Sequence, residues 1–161
     1  MTADGGPLSV EREWLADVLT RQIPLGGAME LEIARLDPRG IELQAPLAPS
    51  VNDKGTAFGG ALVSLMILAG WSLPRLLLRR AGLDAELVIG RCEVRFVKPV
   101  ATGFSVRCDW PDAGAIEQFF DRIRANGRGK LELAPEAVAE GEVAATLVAR
   151  YAALDKVRTP N

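Results

Sequence analysis

The chain contains no histidine. That absence removes the Ser–His and Cys–His nucleophile pairs, the imidazole general base and the histidine metal ligand from the chemistry open to it. Cysteine is nearly as scarce. Cys92 and Cys108 are too few for a structural zinc site, and their spacing fits neither a redox motif nor a disulfide framework. Both are expected as buried free thiols, and no metal site is expected. Charge of one sign is lacking too: 19 Lys+Arg against 21 Asp+Glu leave a net charge of −2, without the basic excess of a nucleic-acid binder. Met1–Leu8 is acidic and Gly-rich, with neither a basic start nor an apolar signal core, so a cytoplasmic location is expected.

What is present describes one ordinary globular unit. At 161 residues, 48% apolar and 25% charged, the composition is that of a soluble domain, one that buries ~68–70% of its unfolded surface. Gly55–Pro74 carries no charge, but its glycines, Thr56, Ser64, Ser72 and Pro74 dilute the run, and a buried core helix explains it better than a membrane span.

Periodicity then orders the elements. Ser9 opens a helical pattern whose apolar face is Trp14, Leu15, Val18 and Leu19, with Pro24 and Gly26-Gly27 ending it. Met29–Leu36 and Gly40–Leu47 alternate with period two around Asp37-Pro38-Arg39-Gly40, the pattern of a β-hairpin. From Gly60 to Arg80 apolar residues appear on every side, predicting a helix buried nearly all round, kinked or ended by Pro74. Strands are predicted at Leu87–Val97, Phe104–Trp110, Lys130–Ala139 and Glu142–Ala153, with a short helix at Ala115–Ala125. One antiparallel sheet of five or six strands wrapped on a buried helix, an α+β arrangement, satisfies this order.

The richest stretch chemically is Asn52-Asp53-Lys54-Gly55-Thr56-Ala57-Phe58-Gly59-Gly60, placed just before the buried helix. A helix N-terminus exposes unpaired N–H groups suited to a carbonyl oxygen that becomes negative, and Gly59 and Gly60 let a ligand approach that backbone. Asn52 and Asp53 present an amide and a carboxylate nearby, which makes Asp53 the one obvious general base or nucleophile. Asn-Asp-Lys-Gly is equally an ordinary type I turn, and Gly-Gly equally serves close packing. Arg79, Arg80, Arg91, Arg95 and Lys98 suit phosphates but read first as solvated surface. Trp71, Phe96, Trp110, Phe119 and Phe120 are expected in the core.

Asn52-x-x-Gly55-x-x-Phe58-Gly59-Gly60 resembles the Asn-x-x-Gly-x-x-His-Gly-Gly signature of hotdog-fold acyl-CoA thioesterases. Val94-Arg95-Phe96-Val97-Lys98-Pro99-Val100 is similar to the strand and turn that follow their central helix. Ala45-Pro46-Leu47-Ala48-Pro49, Gly55–Gly60 and Leu68-Ala69-Gly70-Trp71 bring the likeness closer to a bacterial thioesterase subgroup, some of whose members follow an acetyltransferase domain. The resemblance implies a hotdog domain over residues 29–161 behind an N-terminal segment, 1–28, with a short helix. It also implies a homodimer, or a dimer of dimers, with Leu87–Val97 paired across the two-fold and sites at the subunit interface.

Two customary side chains are missing. Phe58 stands where the larger group has His, and Ile67 where it often has an acid. The resemblance carries over Asn52 and the backbone of Gly59 and Gly60; with Asp53, proposed from the loop, they are the expected catalytic set. Gly55, Thr56, Phe58 and Ser64 are the expected substrate-binding residues, although Thr56 and Ser64 read equally as a helix cap and a satisfied core hydroxyl. The expected function is hydrolysis of an acyl thioester carried by coenzyme A or a carrier protein. No cofactor is expected beyond coenzyme A as part of the substrate, and a thiolate leaving group scarcely needs the proton a histidine would supply. Phe58 and Ile67 motivate the rival expectation, a non-catalytic acyl-CoA or lipid-binding module.

Overall fold

The computed structural model describes residues 7–156; the expectations for the first six and last five residues lie outside them. The order is α1 (Pro7–Asp17), a π-helical turn (Val18–Gln22), α2 (Pro24–Ala28), β1 (Glu32–Asp37), β2 (Gly40–Ala45), α3 (Gly59–Arg80), β3 (Ala85–Phe96), β4 (Phe104–Asp109), α4 (Ala113–Asn126), β5 (Arg128–Leu133), β6 (Glu136–Ala139) and β7 (Glu142–Asp155). Among the described residues the sheet has seven strands, six of them in the order β1-β2-β4-β6-β7-β3, with β5 off that path and paired to β7. All of its pairings are antiparallel. The expected α+β hotdog arrangement is the one found.

The extra strand has a local cause. The run predicted as Lys130–Ala139 is broken at Ala134-Pro135, where proline has no N–H for the ladder. Its carbonyl still accepts from Leu147 N at 3.0 Å. β5 and β6 therefore lie end to end along one side of β7, which carries β3 on its other side.

α3 is the axis of the core. At 22 residues it is about 33 Å long, and it runs unbroken through Pro74. By length and composition it is the one described helix apolar enough to cross a membrane, yet 67% of that stretch is buried inside the fold. Tyr151 of β7 locks sheet to helix: its hydroxyl donates to Ile67 O at 2.7 Å, and burial pushes its ionisation upward. Ile33, Ile41, Leu43 and Ala45 of the hairpin share the same core. Gly40 at its turn is needed for close approach, because a Cβ there would stand 2.0 Å from the Cys108 carbonyl oxygen.

The N-terminal segment belongs to this core. Leu15 and Leu19 are fully buried, and Glu11 accepts two hydrogen bonds from Arg80 at the end of α3, at 2.7 and 2.9 Å. Ser9 falls inside α1 rather than capping it, and Pro24 begins α2 instead of ending the pattern. α4 is bounded as its sequence dictates. Asp112 accepts from Ala115 N at 2.8 Å, and Gly127 closes the helix with φ 78°.

β3 is an edge strand, and that corrects two expectations. Ile89, Cys92 and Phe96 register with Tyr151, Ala149 and Ala145, all buried, so they face the inner side of the sheet. They are nevertheless exposed, Phe96 by 56%. Cys92 is thus an exposed thiol and not a buried one, and Phe96 is not core, because nothing in one chain covers the end of the sheet. Cys108 is buried as expected; burial first, and the neighbouring Asp109 charge second, push its thiol up to about 12.

Candidate active site

The loop before α3 is closed on itself. Val51 and Ala57 pair as an isolated antiparallel bridge, and Asn52 N donates to Thr56 O at 2.7 Å. The Asn52 side chain staples the interior. Its Oδ1 accepts from Lys54 N at 2.8 Å and Thr56 N at 3.1 Å, and its Nδ2 donates to Thr56 Oγ1 at 2.9 Å. Gly55 N donates to Asn52 O at 3.3 Å, the turn bond that Asn-Asp-Lys-Gly predicts, and Gly55 sits at φ 80°. Asn52 therefore spends its carbonyl and one N–H on shaping the loop.

The loop's base is welded to the helix entrance. Ala57 N donates to Val100 O and Phe58 N to Ser50 O, both at 2.7 Å. The N–H groups of Ala61 and Leu62 go to Phe58 O at 2.9 and 3.2 Å. Those of Gly59 and Gly60 open the helix and precede any intrahelical acceptor. Sequence reasoning named these two N–H groups as the donors for a carbonyl oxygen.

A cavity of about 560 Å³ lies at this entrance, within the size range of small-molecule sites. Of the residues expected at the site, Asn52, Asp53, Phe58, Gly60 and Ser64 line it. Gly55 and Thr56 are not among its walls; they hold the loop. Gly59 faces the other way: a Cβ there would meet the Phe96 ring at 3.4 Å. Sequence reasoning missed six wall residues, Leu25, Met29, Pro49, Ser50, Val51 and Ala61. Leu25 and Met29 come from the α2 region, whose proximity to the loop no local pattern announces. Ser50 had a faint signal, a polar residue two positions before Asn52 at the end of a Pro-containing turn.

The polar groups of the cavity differ in commitment. Ser64 donates its hydroxyl to Gly60 O at 2.8 Å, the usual back-bond of a helical serine. Asp53 is solvent-facing, its side chain 86% exposed and 3.8 Å from Lys54 Nζ. Phe58 is 59% exposed, and its ring lies across Gly60 so closely that a Cβ would stand 2.4 Å from Cε1. Only glycine leaves the ring that place. Ile67 is packed half-buried against the core, one turn beyond Ser64. Among the described residues no cluster of acidic or cysteine side chains could hold a metal ion.

Of the cationic residues noted in the sequence, Arg79, Arg80 and Lys98 have partners away from the cavity. Arg80 is tied to Glu11, and that hydrogen bond holds the Glu11 carboxyl below its usual value. Arg79 and Arg75 stack over Trp14 at 4.7 and 4.9 Å. Lys98 bonds Glu142, while Arg91 and Arg95 are exposed on β3.

The family described as "Putative thioesterase (yiiD_Cterm)" matches residues 12–155. Among solved structures, a protein from Chlorobaculum tepidum is similar over 96% of this chain and 100% of its own, with 26% identity and a TM-score of 0.86. A "putative thioesterase" from Shewanella oneidensis superposes with a TM-score of 0.79 at 22% identity, over 91% of this chain and 99% of its own. A "Probable Thioesterase" from Pseudomonas aeruginosa gives 0.74 at 23% identity, over 93% and 97%. These last two likenesses speak for the fold. With the match running from α1 to the end of β7, the chain belongs to this thioesterase family.

Proposed function

We propose that the protein hydrolyses acyl thioesters in the cavity at the start of α3. The observation that carries this reading is the meeting, in one cavity, of the first-turn backbone of α3 with the Asn52–Asp53 loop. A thioester carbonyl against the Gly59 and Gly60 N–H groups would gain hydrogen bonds as its oxygen becomes anionic. Asp53 takes a proton from water while the water oxygen bonds to the carbonyl carbon. The tetrahedral intermediate then collapses, and the C–S electron pair leaves on sulfur as a thiolate, releasing the free acid. Asn52 acts by holding the loop and offering its second N–H. Coenzyme A or a carrier protein supplies the thiol, and the chemistry calls on no further cofactor.

The working unit we infer is a homodimer paired through β3. Ile89, Cys92 and Phe96 on its inner face ask for cover, and an uncovered edge strand invites pairing. The Phe96 ring adjoins Gly59, so a second copy on β3 would stand near the start of α3. Light scattering tests this; a stable monomer at micromolar concentration would refute it.

The decisive experiment is a panel of acetyl-, octanoyl- and benzoyl-CoA with a thiol-reactive dye. Thiol release by wild type supports the hydrolase. Asp53→Asn is expected to lower the rate ~10²–10⁴-fold, the usual worth of a general base, without loss of stability, since its side chain faces solvent. Full activity in that variant removes Asp53 from the mechanism. A second reading, an acyl-CoA or lipid-binding module, is favoured by Phe58 and Ile67, two apolar side chains at positions where hydrolases of this kind carry polar ones. Binding without thiol release would select it.

A further inference from the structure

We infer that Ser50 is a substrate-contacting residue of this cavity, its hydroxyl donating a hydrogen bond to the carbonyl oxygen of the bound acyl thioester. The inference rests on the acyl-thioester reading above and names a group that reading does not use.

Ser50 ends the 3₁₀ turn Ala48–Ser50, and both its main-chain groups are fixed. Its N–H donates to Leu47 O at 2.9 Å, and its carbonyl accepts from Phe58 N at 2.7 Å. The residue is 5% exposed. Among the described residues, its Oγ is the one buried side-chain nitrogen or oxygen with no hydrogen-bond partner. Three other hydroxyls in and around the core have partners: Ser72 bonds Leu68 O at 2.6 Å, Ser64 bonds Gly60 O at 2.8 Å, and Tyr151 bonds Ile67 O at 2.7 Å.

Burying a hydroxyl without a partner costs free energy, and native folds leave few such groups unexplained. Stability alone would be served better by alanine here. Ser50 is also a wall of the cavity, together with Gly60, Asn52, Asp53 and Ser64. Within that set Asp53 as a carboxylate only accepts, Ser64 has given its proton to Gly60 O, and Asn52 is largely spent on the loop. The uncommitted O–H in the wall is that of Ser50. Its backbone bond to Phe58 fixes it beside the residue that precedes the Gly59–Gly60 donor pair, so one carbonyl oxygen is the partner that chemistry suggests. A donor placed there strengthens its bond as the oxygen gains charge, and so acts on kcat more than on KM.

The test is Ser50→Ala, read three ways. With acetyl-, octanoyl- and benzoyl-CoA, kcat should fall ~10²–10³-fold, the scale of a lost carbonyl-oxygen donor, while KM rises by no more than about tenfold and Tm stays level or rises. A kcat within about twofold of wild type overturns the proposal. So does a lowered Tm, which would mean that the hydroxyl has a partner inside the protein. If wild type releases no thiol at all, the hydrolase reading fails while the Ser50 proposal still stands open to measurement. The non-hydrolysable ketone analogues, in which a methylene replaces the thioester sulfur, keep the carbonyl; Ser50→Ala should weaken their binding about tenfold, a single hydrogen bond's worth. Equal affinity, or no binding to wild type, overturns it.

Discussion

Gly60→Ala separates the stability of the site from its use. The added methyl would stand 2.4 Å from Phe58 Cε1, 2.9 Å from Cζ and 3.1 Å from Cδ1, so the ring has to move by about an ångström to reach ordinary contact. That ring is already 59% exposed, and giving up about half of its remaining contact, roughly 40 Å², costs ~1 kcal/mol at ~25 cal/mol per Å². Replacing glycine by alanine in a helix returns up to ~1 kcal/mol, less in the first turn. The two effects nearly cancel. Unfolding entropy of ~2.1 cal/mol/K per residue over a chain of this length makes 1 kcal/mol worth ~3 °C, so Tm should move by no more than ~3 °C. Gly59→Ala supplies the baseline for stability, because its Cβ meets only the Phe96 ring at 3.4 Å. Function should not be spared. The methyl and the displaced ring would crowd the carbonyl oxygen off the first-turn N–H groups, and a lost donor of that kind costs ~10²–10³ in kcat. Differential scanning calorimetry and the thiol-release assay measure the two effects on the same sample. Unchanged kcat/KM in Gly60→Ala would show that no reacting carbonyl docks there.

Other expectations follow from individual contacts. Tyr151→Phe removes the 2.7 Å bond to Ile67 O and should cost ~1 kcal/mol, about 3 °C in Tm, with the fold intact by circular dichroism. The Glu11 carboxyl is held below its usual 4.5 mainly by its hydrogen bond from Arg80. Its contribution is therefore complete above pH 4.5 and lost as pH falls through the lowered folded value. Because Arg80 is 41% exposed, solvent discounts the pair to ~1 kcal/mol, and Glu11→Gln should flatten that part of the acid limb in urea titrations. With Cys108 buried and its thiol pushed up to about 12, native protein should show at most one reactive thiol, Cys92; mass spectrometry after brief alkylation reads this, and modification of Cys108 before unfolding would contradict it.

The elements were legible where periodicity and punctuation agree. Ile41, Leu43 and Ala45 alternate against Glu42 and Gln44, and the strand they predict, Gly40–Leu47, is found over Gly40–Ala45. Asp112 and Gly127 stand where a cap and a left-handed stop are wanted, which widens the predicted α4 by two residues at its start. Pro135 misled the count because its effect depends on a neighbour: only the pairing with β7 shows that a ladder donor is missing. Cys92 and Phe96 misled for a different reason. Alternation says which face of β3 a residue takes, but an edge strand has no neighbour to cover that face, and edge position is a property of the whole sheet. The loop of the site was legible in its backbone, through Gly55, Gly59 and Gly60, and less so in its side chains. Asn52 reads equally as amide for a ligand and as staple for a turn; the distances to Thr56 and Lys54 assign most of it to the turn. Leu25 and Met29 could not be read at all, since they reach the cavity only through the packing of α2.

The division of labour in the loop bears on how such a site works without histidine or a helix acid. A carboxylate at the position of Ile67 would lie on α3 beside the Ile67 carbonyl that Tyr151 engages, on a helix packed deep in the core. Here that position is apolar and strengthens the packing instead. In the proposed mechanism the polar work then falls to groups held by the backbone: the first-turn N–H pair, Ser50 clamped by its bonds to Leu47 and Phe58, and Asp53 on a loop that Asn52 keeps in one shape. Rigidity substitutes for side-chain variety, because a donor fixed in place needs no reorganisation when charge develops. The thioester fits that economy, since its thiolate departs without an acid, whereas an oxygen ester has a more basic leaving group that asks for a proton.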